Sequence, residues 1–269
     1  PIDQLDRAIA TIDVDRLDQR VPVPAVNDEF QRLAVNYNHM LDRLREAFDL
    51  QRTFVNNASH ELRTPLARMN AQVEKALALP PGSEGLNNAL ATLQLDITMQ
   101  ASLVESLLLL QRLQAHLPVQ RHPVRVDETL YTALEEVRAL SPDLHATVDI
   151  HSEISSEQDL TVHGNEILLR TLFLNLLRNV ANYDPEKRVA IMITRAEHAV
   201  QLRFSNSGEE ALPPQVFDPF YRGTHLDRVK GHGLGLSIVK QVAEDAGGKV
   251  NYHFHAKQHH FTVDLPLKT

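Results

Sequence analysis

No cysteine occurs among the 269 residues. Disulfides and thiolate-held metals are therefore excluded, and a reducing compartment fits. No dense block of lysine and arginine appears either. Acidic residues outnumber basic ones, 35 to 27, for a formal net charge of −8, so sequence-independent nucleic-acid binding is not expected. No uninterrupted apolar run reaches the roughly 18–20 residues that cross a bilayer, and no signal-peptide pattern is present. The chain opens on "PIDQL" without methionine, as a piece of something longer would. What is present is ordinary for a folded protein: 43% hydrophobic and 23% charged residues, enough for about two domains or three small ones.

Residues 1–45 read as two short amphipathic helices around a connector. Ile2, Leu5, Ile9 and Ile12 give the first helix, about 1–12, its apolar face. The connector "DRLDQRVPVPAVND" is expected to be extended because of its prolines. Asn27 and Asp28 offer N-caps for the second helix, which runs through Phe30, Leu33, Ala34, Tyr37, Met40, Leu41 and Leu44. From Leu41 a heptad continues through Leu44, Phe48, Gln51, Val55, Ala58, Leu62, Pro65, Met69, Gln72, Ala76 and Leu79. "PPGSEG" (80–85) is a turn, and a second seam follows from Leu86 to Gln111. Two long helices joined by a tight turn make an antiparallel hairpin. One hairpin exposes too much apolar stripe to stand alone, which predicts a homodimeric four-helix bundle.

"LPVQRHP" (117–123) reads as a linker. Beyond it, helices are expected at 127–139, 165–182 and 234–246. Strands are expected at 146–151, 159–164, 188–195 and 199–206, with a closing pair in "KVNYHFHA" and "HHFTVDLPL". That pattern predicts an α+β sandwich, an antiparallel or mixed sheet with helices on one face.

The first chemical constellation is "SHELRTPL" (59–66). His60 falls at an outward heptad position, Glu61 sits beside it and Thr64 lies one turn on. Position alone suits a solvated helix face. Pro65 alters that balance, because a proline inside a helix costs about 3 kcal/mol and kinks it. A costly feature beside an exposed imidazole points to function. Imidazole is a competent nucleophile once a base takes its proton, and the neighbouring carboxylate can serve.

The second constellation lies in the α+β part. "NLLRNVANY" (175–183) places Asn175, Asn179 and Asn182 on one helix face, opposite Leu172, Leu176, Leu177 and Val180. Amide oxygens suit a hard cation that already carries phosphate ligands, such as Mg²⁺. "SNSGEE" (205–210) reads as a turn after a strand, and "VFDPFYRG" (216–223) follows. "GHGLGLSIVK" (231–240) is a glycine loop running into a helix, which offers backbone N–H groups to phosphate. The glycine loop alone is a weak signal; in this order the segments form a strong one. The histidine-rich "HFHAKQHH" (253–260) lies on the terminal strand pair and reads as surface, with no carboxylate cluster to make it a metal site.

These segments resemble the cytoplasmic half of bacterial two-component sensor histidine kinases over essentially the whole chain. "FVNNASHELRTPL" is similar to that family's phospho-acceptor box, and the later segments are similar to its N, G1, F and G2 boxes. "PIDQL" and "DEFQRLAVNYNHMLDRL" resemble the two helices of a HAMP linker. The resemblance implies a HAMP linker over 1–45, a dimerisation and phosphotransfer domain over 46–118, and an ATP-binding α+β domain of the Bergerat type over 119–269. His60 would be phosphorylated from ATP, with Glu61 as base and Thr64 supporting hydrolysis of the phosphorylated response regulator. Asn179 would ligate Mg²⁺, with Asn175 and Asn182 nearby and Tyr183 beside the nucleotide. Asn206 would read adenine, and Gly208 of the same box would also lie at the cofactor. Arg222 would reach the γ-phosphate, a natural task for a guanidinium. Gly231, Gly233, Leu234, Gly235 and Leu236 would frame the phosphates at the hinge of an ATP lid spanning about 219–232.

Two departures stand out. The G1 box usually reads adenine with Asp where this chain has Asn206, and its second glycine is replaced by Glu210. Asn182 stands where many relatives carry Lys. Both predict weaker ATP binding. The implied partners are a second copy, a response regulator and ATP. Membrane attachment would run through upstream transmembrane helices, placing this part on the cytoplasmic side of the inner membrane. A kinase-deficient dimeric scaffold is the alternative, and an ATP-hydrolysing clamp of the wider ATPase superfamily is a second rival with no use for "SHELRTPL".

Overall fold

The computed structural model describes residues 18–23, 29–115, 119–154, 156–223 and 231–267. The expected helix over 1–12, the caps Asn27 and Asp28, and residues 224–230 of the expected lid lie outside the described residues. The chain divides into two compact units, 1–68 and 69–269.

In the first unit the dominant element is helix α1 (Glu29–Leu77), which continues into the second unit. The HAMP-like helix and the start of the heptad seam are thus one continuous helix, as the unbroken pattern from Leu41 requires. The connector before it is clipped to α1 by a reciprocal amide pair. Val21 N–H donates to Asn38 Oδ1 at 2.9 Å, and Asn38 Nδ2 donates back to Val21 O at 3.0 Å. Val21 is buried, and Arg20 pairs with Asp42 alongside.

The second unit opens with the last turns of α1, a tight turn and helix α2 (Glu84–Gln114). Gly82 takes the left-handed conformation in the turn, φ 75°, and Ser83 caps α2 by accepting from Leu86 N–H at 3.2 Å. At the hairpin tip Gln72 Nε2 donates to buried Asp96 Oδ2 at 3.1 Å. By length and composition α2 is apolar enough to cross a membrane. No single leucine run suggested this, because its apolar positions form a wide stripe separated by neutral polar residues. Its buried Asp96, bonded across the hairpin to Gln72, suits a helix packed on another helix. Leu103, Leu110 and Leu113 of α2 are buried, and α2 also packs on the helix at 235–245.

The α+β part is a five-stranded mixed sheet with helices on one face. Its strands are β2 (His145–Ile150), β4 (Arg188–Ala196), β5 (Ala199–Ser207), β6 (Lys249–His255) and β7 (Gln258–Pro266), in spatial order β2-β4-β5-β7-β6. Only β2 and β4 pair in parallel. Helices α3 (Val126–Leu140), α4 (Glu166–Tyr183) and α5 (Gly235–Asp245) supply the other layer. Val189, Ile191 and Ile193 of β4, with Val200, Leu202 and Phe204 of β5, alternate into the core and leave the opposite face open.

Three boundaries depart from the sequence pattern. The expected linker runs into strand β1 (His122–Arg125), which takes up its last two residues and pairs antiparallel with β3 (Thr161–Gly164). Pro123 disguised it; a two-stranded sheet leaves each strand an open edge where a missing N–H is tolerated. The expected strand at 159–164 begins instead as a 3₁₀ turn, Glu157–Leu160, because Ser156 and Asp159 form a capping box. The expected turn at 205–210 starts later, since β5 continues to Ser207 opposite Gln258.

Phe173 of α4 sits against Phe204 of β5, ring centroids 6.2 Å apart, and both are fully buried. Phe173→Ala is expected to destabilise the α+β part by about 3–5 kcal/mol, because the contact spans both layers and leaves a cavity. Urea unfolding followed by circular dichroism checks this.

Candidate active site

His60 lies on the exposed surface of α1, as its heptad position predicts. Thr64 is also exposed, and its Oγ1 donates back to His60 O at 3.2 Å. Pro65 has no N–H, so the Glu61 carbonyl receives no helical bond from it. The helix continues through Pro65 rather than ending there. The acceptor box is therefore an uninterrupted helix with one ladder bond missing beside His60.

The nucleotide-box residues gather at one end of the second unit. Asn175, Asn179 and Asn182 occupy the outer side of α4, while Leu172, Leu176, Leu177 and Val180 are buried. Asn175 Nδ2 donates to Thr171 O at 2.8 Å. A Cβ on Gly235 would meet Asn175 Oδ1 at 3.0 Å, so the first residue of α5 packs directly on the asparagine face. A Cβ on Gly231 would lie 3.5 Å from the Tyr183 hydroxyl. The glycine loop thereby meets α4 at two points. The N-cap residue of α5, Leu234, makes no side-chain cap hydrogen bond, as suits a helix start that presents its first N–H groups to another acceptor. Leu234 is buried and anchors the loop, Leu236 is half-buried, and Ser237 Oγ donates to Leu234 O at 2.8 Å.

Both flanks of the undescribed residues 224–230 are joined. Phe220 N–H donates to Gly233 O at 2.9 Å. Gly233 has φ 70°, and a Cβ there would fall 2.6 Å from Tyr221 O. Phe220 itself is left-handed, φ 66°. Only glycine fits at 233, which explains the second glycine of "GHG". Arg222 is half-buried on the same flank.

Asn206 is buried on β5, and its Nδ2 donates to Ser207 O at 3.0 Å, leaving Oδ1 as the acceptor. Two supports beneath it had not been picked out from the sequence. Buried Asp184 accepts at Oδ2 from both Ser207 N–H and Ser207 Oγ, each at 2.8 Å, and at Oδ1 from Glu186 N–H at 2.8 Å. Its place was signalled: a carboxylate at a helix C-terminus opposes the dipole and calls for a reason. His259 is the second support, and its ring occupies the space above Gly208. Nothing in the alternating strand pattern distinguishes it from its neighbours.

Three family models match this chain. One is the histidine kinase-, DNA gyrase B- and HSP90-like ATPase, over residues 164–269. The others are the His Kinase A phospho-acceptor domain over 50–116 and the HAMP domain over 1–46. The sensor protein CutS of Streptomyces coelicolor is 32% identical across 93% of this chain and 61% of its own length. The chain belongs to the two-component sensor histidine kinases. The signal transduction histidine-protein kinase/phosphatase MprB of Mycobacterium leprae is 35% identical over 87% of this chain and 46% of its own. This chain thus spans about half to three-fifths of the length of these curated relatives. Among solved structures, histidine kinase ThkA in complex with response regulator protein TrrA shares the fold, with TM-score 0.59 and 17% identity over 90% of this chain and 68% of that one.

The ATPase family model implies ATP binding. The donor set fits a magnesium–triphosphate group. The Asn175 amide oxygen faces the start of α5 at Gly235, and Asn179 lies one turn on along the same helix side. Neutral oxygen donors suit Mg²⁺ once the phosphates supply the charge.

Proposed function

We propose that this kinase portion phosphorylates itself on His60 from ATP and passes the phosphoryl group to a response-regulator aspartate. The observation that carries this reading is the exposed His60, set beside Glu61 and one ladder bond short at Pro65, in a chain that also carries the asparagine and glycine boxes. In the first step an imidazole nitrogen attacks the γ-phosphorus. The N–P bond forms as the bond to ADP breaks, and the imidazole proton passes to the Glu61 carboxylate. In the second step the N–P bond breaks as an aspartyl oxygen takes the phosphoryl group. Thr64, bonded to the His60 carbonyl, is assigned to hydrolysis of the phosphorylated regulator. That assignment is supported by the kinase/phosphatase description of MprB.

Asn179 is assigned to Mg²⁺, with Asn175 and Asn182 beside it and Tyr183 at the nucleotide's edge. Mg²⁺, when bound, neutralises charge between the phosphates. Asn206 and Gly208 take the adenine. Arg222 meets the γ-phosphate, and Gly231, Gly233, Leu234, Gly235 and Leu236 hold the phosphate loop. The domain boundaries are assigned as 1–45, 46–118 and 119–269; pairing of β1 with β3 supports placing 119–163 with the ATP-binding part. The working form is a homodimer. Leu90, Ile97, Val104 and Leu108 form an uncovered apolar stripe on α2, which a second copy would bury. The partner is a response regulator, as in the ThkA complex, and attachment to the cytoplasmic face of the membrane through transmembrane helices is assigned because the curated relatives are membrane sensor kinases.

Calorimetry with ATP and Mg²⁺ tests this reading against a dimeric scaffold. Binding below millimolar ATP is expected; no binding at millimolar ATP favours the scaffold. Pro65→Ala is a second expectation. It restores the missing N–H and removes about 3 kcal/mol of helix penalty. The ratio of autokinase to phosphatase activity should shift several-fold, and an unchanged ratio would remove Pro65 from the switch.

A further inference from the structure

The loop that follows Asn206 is held from beneath by the β6–β7 hairpin. Gly208 N–H donates to Lys257 O at 3.0 Å. Leu212 N–H donates to the Tyr252 hydroxyl at 2.9 Å, and that hydroxyl lies 2.9 Å from His259 Nδ1. The His259 ring fills the space a side chain on Gly208 would need, with Nε2 only 2.1 Å from the position of such a Cβ. Tyr252 stacks in turn on buried Phe261, centroids 5.0 Å apart. The hairpin turn itself uses Ala256 and Lys257, both left-handed at φ 51° and 58°. Non-glycine residues seldom adopt that conformation. From the other side, Asp184 fixes Ser207 through two hydrogen bonds. The backbone from Ser207 to Leu212 therefore hangs on three distinct elements.

We propose that His259, held by Tyr252, is a positioning residue for nucleotide recognition: it sets the height and orientation of the Asn206–Leu212 segment, and with it the adenine-reading amide. The proposal rests on the reading that Asn206 and Gly208 receive the base. The hydrogen bonds run in one direction. Tyr252 accepts from Leu212 N–H, and with His259 as the neutral Nε2 tautomer its hydroxyl donates to Nδ1. Burial pushes His259 below its ordinary range and nearby His260 adds to that, against the opposing pull of the Asp184 carboxylate. A neutral ring has one nitrogen able to accept the Tyr252 proton. The neutral ring brings no charge to the base, so its effect is one of placement.

The test measures binding of Mg·ATP and Mg·GTP, together with the ATP dependence of autophosphorylation, in the full chain. His259→Ala and Tyr252→Phe should each weaken ATP binding about five- to tenfold, as loss of one or two supporting hydrogen bonds predicts. They should also narrow the preference for ATP over GTP and raise KM with little change in kcat. His259→Asn places an oxygen near Nδ1 and should recover most of the affinity, whereas His259→Phe keeps the ring and should not. Variants that match the wild type in affinity and in ATP preference overturn the positioning role alone. Wild-type protein that binds no nucleotide overturns both this role and the reading beneath it. Equal loss in the Asn and Phe variants, with a matching fall in melting temperature, assigns His259 to packing and overturns the proposal.

Discussion

His60→Gln is expected to abolish transfer of label from γ-labelled ATP to the chain while leaving nucleotide binding intact. The two effects separate because of where the residues sit. His60 is an exposed side chain on α1, so its loss removes no core contact and no capping bond. Glutamine is polar, helix-compatible and similar in reach, but its amide nitrogen is not a nucleophile under these conditions. Label should fall to background, a loss of about a hundredfold or more on the scale set by removing a covalent nucleophile. Helical content and calorimetric affinity for ATP should match the wild type. Equal labelling of both proteins would move the nucleophile elsewhere.

Gly233→Ala is expected to produce the complementary loss. The position is left-handed at φ 70°, and an added methyl would sit 2.6 Å from Tyr221 O and 2.8 Å from the Phe220 carbonyl carbon. Left-handed backbone alone costs a non-glycine residue about 1–2 kcal/mol. The close contact is with backbone, which has no rotamer to escape into. Relief requires the loop to move, and that breaks the Phe220 N–H to Gly233 O bond joining the two flanks. The start of α5 would then leave the asparagine face. ATP affinity should fall about tenfold or more, with autophosphorylation falling at least as far at limiting ATP. Phe173, Phe204 and the central strands lie away from this loop, so the unfolding transition should persist. An unaltered ATP affinity would detach "GHG" from the phosphate site.

Much of this was legible in the sequence because two periodicities are clean. The heptad from Leu41 specified a long helix, and α1 is continuous through that region. Alternation in "RVAIMITR" and "AVQLRFSN" specified the central antiparallel pair. Elements that failed to show themselves are those where a local rule is broken. Pro123 concealed β1, and Ser156 with Asp159 turned an apparent strand start into a 3₁₀ turn. The asparagine face and glycine loop were visible as residue types at fixed spacing, and α4 and α5 do pack against each other. Asp184 was signalled only as a carboxylate at a helix end, whereas Tyr252 and His259 were not visible, because their roles arise from contacts with Leu212 and Gly208, 40 or more positions away, that no local pattern encodes. The histidine-rich terminal hairpin, which reads as surface, is only partly so. His253 and His255 are exposed, whereas His259 lies under the Asn206 loop, and His260 Nδ1 is 2.8 Å from Ser205 Oγ. Register decides which of them turn inward.

The central claim is that the γ-phosphate of ATP ends on one particular imidazole. The most direct measurement is to incubate the chain with Mg·ATP, digest it at mildly alkaline pH and locate the phosphoryl group by mass spectrometry. The prediction is a single modification on the peptide containing His60, lost on brief acid treatment as an N–P bond should be. An acid-stable phosphate, or a phosphate on any peptide without His60, would contradict it.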